Sequence, residues 1–332
     1  MRWDSLWYLH IAQHGFGTVR PGPPGTGIVY SDMAFFPLYP ALIRAVNTVI
    51  PVGEVNVALA LSWSAALVAA AGIYAVGELM YQRRVAVALV ALWAALPQAV
   101  VTTMAYTESM MTAFAAWALY AALTRRWLTA GLLALLAGLT RPNGIAAAVA
   151  VMTALGAHAS HRRDDQPMEW RMWLSALLAP AGWLGYVIWV GNKTGSPTGY
   201  FAVQRRFGST FDFGHYSLYM FKHLVLAKGS LGQYTAAAVV TGAVVLFVLS
   251  LLDRQPPPLL VYSATLIVMA LGGAHFFTSR PRLLFPAFPL LLPAALAISR
   301  ARLRNACVLM APAVAFSLAF GIYLTMMTKS PP

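Results

Sequence analysis

An all-α polytopic membrane protein is the fold class that the sequence predicts, and three observations predict it. Of 332 residues, 59% are hydrophobic and only 10% charged, whereas a soluble domain carries about a quarter charged residues. Apolar runs approaching the roughly 20 residues that cross a bilayer core recur along most of the chain. Short clusters rich in arginine separate many of them, the pattern of cytoplasmic loops.

The runs fall at 55–80, 85–103, 108–124, 128–141, 144–158, 172–191, 235–252, 259–277, 283–299 and 307–327, about ten transmembrane or half-spanning helices. The chain thus divides into an external loop, residues 1–54, and a transmembrane helical domain, residues 55–332. Within 34–51, AFFPLYPALIRAVNTVIP, two internal prolines and Arg44 oppose a span, so that stretch reads as an interfacial helix. Residues 128–158 are interrupted by TRPNG at 140–144. Proline disfavours helix in the residue before it, and glycine tolerates left-handed geometry, so this is turn chemistry. Placing YQRR (81–84), TRRW (124–127), HRRDDQ (161–166), DRQ (253–255) and RARLR (300–304) in the cytoplasm requires 128–158 to enter and return. A hairpin follows. The same alternation puts AYTE (105–108), the loop 192–234 and TSRPR (278–282) outside.

The net charge of +13 comes from arginines scattered at the ends of apolar stretches. No single basic, aromatic-studded face gathers them, which argues against a nucleic-acid partner and for membrane lipids. The first fifteen residues lack the basic and apolar regions of a signal peptide. Cys307 is the only cysteine, so no intramolecular disulfide forms, and the thiol reads as a small core residue. No internal repeat is visible, which weakens a transporter reading.

Few polar groups could do chemistry. Asp4 shares a helical face with Trp7, Tyr8 and Ile11, and it serves equally well as a helix N-cap or as an external carboxylate. His10 and His14 stand four apart, a metal-binding spacing, but no third ligand is evident; a divalent metal is possible and not indicated. Asp32 reads as a turn residue or a pocket residue. Glu108 in AYTES suits either a helix start or a polar pocket. Arg280 and Arg282 break the charge rule by occupying a short external loop. They either snorkel to the membrane surface or hold a phosphate in their donor forks. The loop 192–234 carries Gln204, Arg205, Tyr200, Phe201 and Phe207, which suit a sugar face or an interfacial belt alike.

With these residues in hand, the chain resembles the PIG-V family of mannosyltransferases (GPI mannosyltransferase 2-like), within the GT-C superfamily of glycosyltransferases. The likeness rests on RWDSLWYLHIAQHGF (2–16), AFFPLYP (34–40), AYTESM (105–110), LTRPNG (139–144) and RPRLLFPAFPLLL (280–292). The resemblance implies a GT-C-like bundle, a polyprenyl-phosphate mannose donor as substrate, and inverting transfer at the noncytoplasmic face of the cell membrane. It implies Asp4 as general base, Arg280 or Arg282 at the donor phosphate, and a pocket that includes Trp3, Trp7, Tyr8, Asp32, Tyr106, Glu108, Arg141 and Asn143. No nucleotide cofactor is expected, in keeping with the lack of a Gly-rich phosphate loop. The acceptor, a glycolipid, glycan or protein, is left open. Family members begin with a transmembrane helix before the Asp motif; here the motif begins at residue 2, which reads as a misassigned start or a truncated chain. A lipid-linked sugar transporter or flippase, and a noncatalytic subunit of a mannosyltransferase, are the alternatives.

Overall fold

The computed structural model describes residues 3–22, 28–160 and 169–328. The expected cytoplasmic cluster at 161–166 lies outside the described residues. Fifteen α-helices are described, joined by 3-10 turns and two minimal strand pairs. In chain order the helices are α1 (Asp4–His14), α2 (Leu38–Val49), α3 (Glu54–Met80), α4 (Arg83–Ala94), α5 (Glu108–Leu123), α6 (Trp127–Gly138), α7 (Ile145–Ser160) and α8 (Trp170–Thr194). They continue with α9 (Gly199–Arg206), α10 (His215–Leu226), α11 (Leu231–Leu252), α12 (Pro257–Gly272), α13 (Arg280–Leu284), α14 (Leu292–Arg300) and α15 (Leu303–Ile322). Strands β1 (Val19–Pro21) and β2 (Val29–Ser31) pair antiparallel, as do β3 (Thr210–Phe211) and β4 (Gly273–Ala274).

Among the described residues, α3, α7 with its preceding turn, α8, α11 and α15 with its last turn are long and apolar enough to cross a membrane. A bent pair, Phe277–Leu284 and Phe288–Arg300, adds a sixth candidate. Their outer faces carry exposed Leu67, Leu177, Val248 and Leu318. A soluble protein hides such residues, so this surface belongs in hydrocarbon. The protein is a multi-pass membrane protein.

Centrally placed α5 packs against α3, α6, α7 and α12. Its alanines at 113, 115, 116, 118, 121 and 122 are all buried, on every side of the helix. Small side chains let the surrounding helices approach closely, the packing mode available where lipid removes the usual hydrophobic drive between helices. The α6–α8 contact works the same way: a β-carbon on Gly131 would meet the backbone of Ser175, and one on Gly182 would overlap the Leu135 carbonyl.

The apolar stretch 128–158 is a helical hairpin, α6 and α7. Helix α6 ends at Gly138, Thr140 Oγ1 donates to the Ala137 carbonyl at 2.6 Å, and Pro142–Gly144 forms a 3-10 turn. Gly144 is pressed so closely onto the Ala137 carbonyl that a side chain has no room. Helix α2 is short and two-faced, burying Tyr39, Pro40 and Ile43. Helices α1 and α2 share one apolar cluster with Val57 and Ala58 of α3, Ala105 and Met110.

Several expected spans differ. The stretch 85–103 is α4 followed by a 3-10 turn at Ala99–Thr103, because Pro97 cannot continue the helix. The stretch 283–299 spans a bend of 81° between Phe277–Leu284 and Phe288–Arg300, where Pro286 and Pro289 remove backbone donors. The stretch 192–234, expected as a loop, holds the end of α8, then α9, β3 and α10, and the start of α11. Cys307 is exposed rather than a core residue, because α15 buries only Ser317, Phe320 and Gly321.

Candidate active site

Where α1, the turn before α5, the hairpin tip and the α12–α13 connection converge, they enclose a cavity of about 230 Å³. Asp4, Tyr8, Arg141, Arg280 and Arg282 line it together with Phe35, Gln204, Phe207 and His275.

Asp4 is the first residue of α1. The N-cap position belongs to Trp3, with φ of 56°, so the capping role expected of Asp4 does not apply. Instead Asp4 Oδ2 meets Arg282 Nη2 in an ion pair, its side chain still 22% exposed. Four residues on, and so on the same helical face, Tyr8 shares a 3.1 Å hydrogen bond with Thr107 Oγ1. Burial pushes the Tyr8 hydroxyl up to about 12, which keeps it protonated through the neutral range.

Glu108 begins α5 and is fully buried. Its Oε1 meets Arg282 Nε and lies 2.5 Å from Arg141 Nη1. Arg141 reaches that point because Pro142 forces it into an extended backbone, φ −158° and ψ 158°, at the hairpin tip. Arg141 Nη1 also donates to Thr107 Oγ1 at 3.2 Å. A chain of contacts thus runs from Asp4 through Arg282, Glu108, Arg141 and Thr107 back to Tyr8 on the same helix. Buried charges are tolerated when they are paired and hydrogen-bonded, and here two carboxylates match two guanidinium groups.

Arg280 is different. It is 2% exposed, with Nη1 donating to Ser217 Oγ at 2.5 Å and Nη2 to the Gly273 carbonyl at 2.6 Å. Its guanidinium lies 4.7 Å from the Phe277 ring centroid. Among the described residues, no carboxylate stands within ion-pair range of it. The cavity wall therefore holds three guanidinium groups and the Asp4 carboxylate, with Glu108 behind it. Such a site attracts an anion, and a phosphate fits forked donors.

The remaining expected pocket residues are set back from the cavity. Tyr106 lies under Arg282, ring centroid 4.6 Å from the guanidinium carbon. Asn143 Nδ2 donates to the Leu283 carbonyl at 3.4 Å, tying the hairpin tip to the arginine segment. Trp7 stacks on Phe35 at 5.7 Å with Arg20 over it at 5.1 Å. Trp3 is not among the lining residues. Asp32 is neither solvated nor in the cavity: its Oδ2 accepts from the amides of Gly17 and Thr18 at 2.8 and 2.7 Å, clamping the loop that carries Phe35 inward. His10 and His14 stack at 4.6 Å, and His10 Nε2 lies 2.8 Å from Thr18 Oγ1. No group of three or more potential metal ligands occurs among the described residues.

Sequence reasoning missed Thr107, which adjoins Glu108 in the AYTES motif, and it left the loop residues Gln204 and Phe207 divided between a sugar face and an interfacial belt. It also missed His275 and Phe276, consecutive residues in the left-handed region with φ of 63° and 44°. Such strain concentrates where a fold positions a site.

No protein-family model matches the chain, and no curated protein matches it. Among solved structures, the chain is similar to ArnT from Cupriavidus metallidurans, crystallised with undecaprenyl phosphate, with a TM-score of 0.57 at 14% identity. The superposition covers 99% of this chain and 61% of ArnT, so the chain spans about three fifths of that protein's length. The likeness is one of fold: the chain shares the all-α polytopic fold of ArnT.

Proposed function

We propose that the protein is a membrane glycosyltransferase that moves a sugar from a polyprenyl-phosphate donor to an acceptor hydroxyl. The observation that carries this reading is the cavity where the Asp4 carboxylate meets Arg282, with the unpaired Arg280 on the same wall. The shared fold with a protein crystallised with undecaprenyl phosphate supports a lipid-phosphate donor. So does an apolar hollow of about 210 Å³ lined by Val239, Ala243 and Leu246 of α11 with Pro281, Leu284 and Leu291. Pro281 separates the two arginines, so a prenyl chain in that hollow has its phosphate end beside them. Mannose as the sugar rests on the PIG-V resemblance.

The chemistry is a single displacement. The donor phosphate engages Arg280 and displaces Asp4 from Arg282. The freed carboxylate accepts the proton of the acceptor hydroxyl, whose oxygen forms the new bond to the anomeric carbon. The anomeric carbon–phosphate oxygen bond breaks on the opposite face, and the phosphate leaves with the electron pair, stabilised by both guanidinium groups. An oxocarbenium-like transition state lets proton loss lag behind displacement. The configuration inverts.

The noncytoplasmic side is supported by connectivity. The basic turns at 81–84, 124–127, 253–255 and 300–304 join one set of helix ends. Glu108 at the start of α5, the α6–α7 tip and the end of α12 lie at the other ends of those helices. By the positive-inside rule the site faces away from the cytoplasm.

The test is incubation of purified protein in lipid nanodiscs with radiolabelled polyprenyl-phosphate mannose and a lipid extract. Label transferred to a new α-linked product supports the reading. Label that crosses a vesicle unchanged, or no transfer with any extract, overturns it.

A further inference from the structure

Gln204 of α9 is a cavity-lining polar group that the displacement leaves without a role. Its Nε2 donates to the Ala34 carbonyl at 3.0 Å and to the Tyr200 hydroxyl at 2.8 Å. A carbonyl only accepts, so Ala34 dictates which end of the amide is nitrogen. Tyr200, 3% exposed and packed against Phe36 at 5.8 Å, is a fixed anchor for the second N–H. Both donors are therefore occupied, and Oε1 remains as an acceptor with no hydrogen-bond partner among the described residues.

Phe207, three residues further along the chain, also lines the cavity, and its ring meets that of Phe35 edge to face at 5.7 Å. An apolar corner of two rings set edge to face beside a fixed acceptor is unsuited to phosphate, whose oxygens the Gln204 carbonyl repels. It suits a pyranose, which presents an apolar C–H face and outward hydroxyl donors.

We infer that Gln204 is a specificity-determining residue whose Oε1 accepts a hydrogen bond from a sugar hydroxyl while Phe35 and Phe207 pack against the ring. This deepens the glycosyltransferase reading and rests on it. The hydroxyl belongs to the donor sugar or to a sugar acceptor; the chemistry is the same, and two probes separate the sources.

Titration calorimetry on the full chain in detergent uses undecaprenyl-phosphate mannose as the donor probe and octyl α-mannoside as the acceptor probe. Each is compared with its monodeoxy analogues, one hydroxyl removed at a time. At one position on one probe, deoxygenation should weaken binding to wild type about tenfold, the loss of one well-placed hydrogen bond. The same deoxygenation should cost Gln204→Leu nothing further. Gln204→Asn, whose amide is one methylene short, should behave likewise and replaces the leucine variant if that fails to fold. A residue that only holds Ala34 and Tyr200 in place weakens all analogues alike. Equal losses in wild type and variants at every position of both probes overturn the inference alone. Failure of wild type to bind either parent probe overturns it together with the glycosyltransferase reading.

Discussion

Asp4 and Arg282, 278 positions apart in the chain, form an ion pair on the wall of the cavity. The ion pair fixes the position of the carboxylate, which is released when a stronger anion takes its partner. Asp4→Asn keeps the side chain's size and removes its basicity. Transfer should fall about 10²- to 10⁴-fold, the contribution of a positioned base, while the donor binds at least as tightly because Arg282 loses its competitor. Single-turnover rates and donor titrations check this; transfer at the wild-type rate excludes Asp4 as the base.

Arg280 and Arg282 should separate stability from binding. Arg280 makes two hydrogen bonds but no ion pair, so its removal costs about 1–3 kcal/mol, less than breaking a buried ion pair. Arg280→Met should lower the thermal midpoint in detergent only modestly while increasing the donor KM about tenfold or more. Arg282→Met should lower the midpoint, because it strips one partner from the fully buried Glu108. A lowered midpoint with unchanged donor KM in Arg280→Met would make that residue a structural one.

Glu108 holds two guanidinium groups at once, so removing it leaves both facing one buried spot. Glu108→Ala should cost about 3–5 kcal/mol, the penalty for breaking a buried pair from one side. The double variant Glu108→Ala, Arg141→Ala should cost clearly less than the sum of its parts, since the two share an ion pair. Additive losses in chemical unfolding would show that the pair contributes nothing.

Two glycines of α8 make a packing test. A β-carbon at Gly182 collides with the Leu135 carbonyl, whereas one at Gly185 meets nothing within 4 Å. Gly182→Ala should destabilise by about 1–3 kcal/mol. Gly185→Ala should be neutral or stabilise by up to about 1 kcal/mol, the helix-propensity difference. Thermal melts of the two variants side by side settle the ranking.

What the sequence reveals divides along the range of the forces involved. The hairpin at TRPNG is readable because proline and glycine act on their own backbone. The bend after Leu284 is signalled by Pro286 and Pro289, yet mean hydropathy averages over it and reports one continuous span. Glu108 looks like an ordinary helix start because its partners, Arg141 and Arg282, lie 33 and 174 positions away. Asp32 looks like a solvated turn because the amides it clamps, Gly17 and Thr18, carry no side-chain signal. Gln204 is unremarkable in sequence; only the Ala34 carbonyl, 170 positions earlier, orients it.

Because α5 is mostly buried in protein, with only Phe114, Trp117, Tyr120 and Leu123 half-exposed, lipid does little to set its height. The helices around it can tilt when the membrane thickens or thins, each at modest cost. Glu108, fixed at the inner wall of the charged ring, moves with its protein neighbours and not with the hydrocarbon boundary. The distance between the carboxylates and guanidinium groups should therefore be the same in short-chain and long-chain lipids, making the reaction centre indifferent to bilayer thickness.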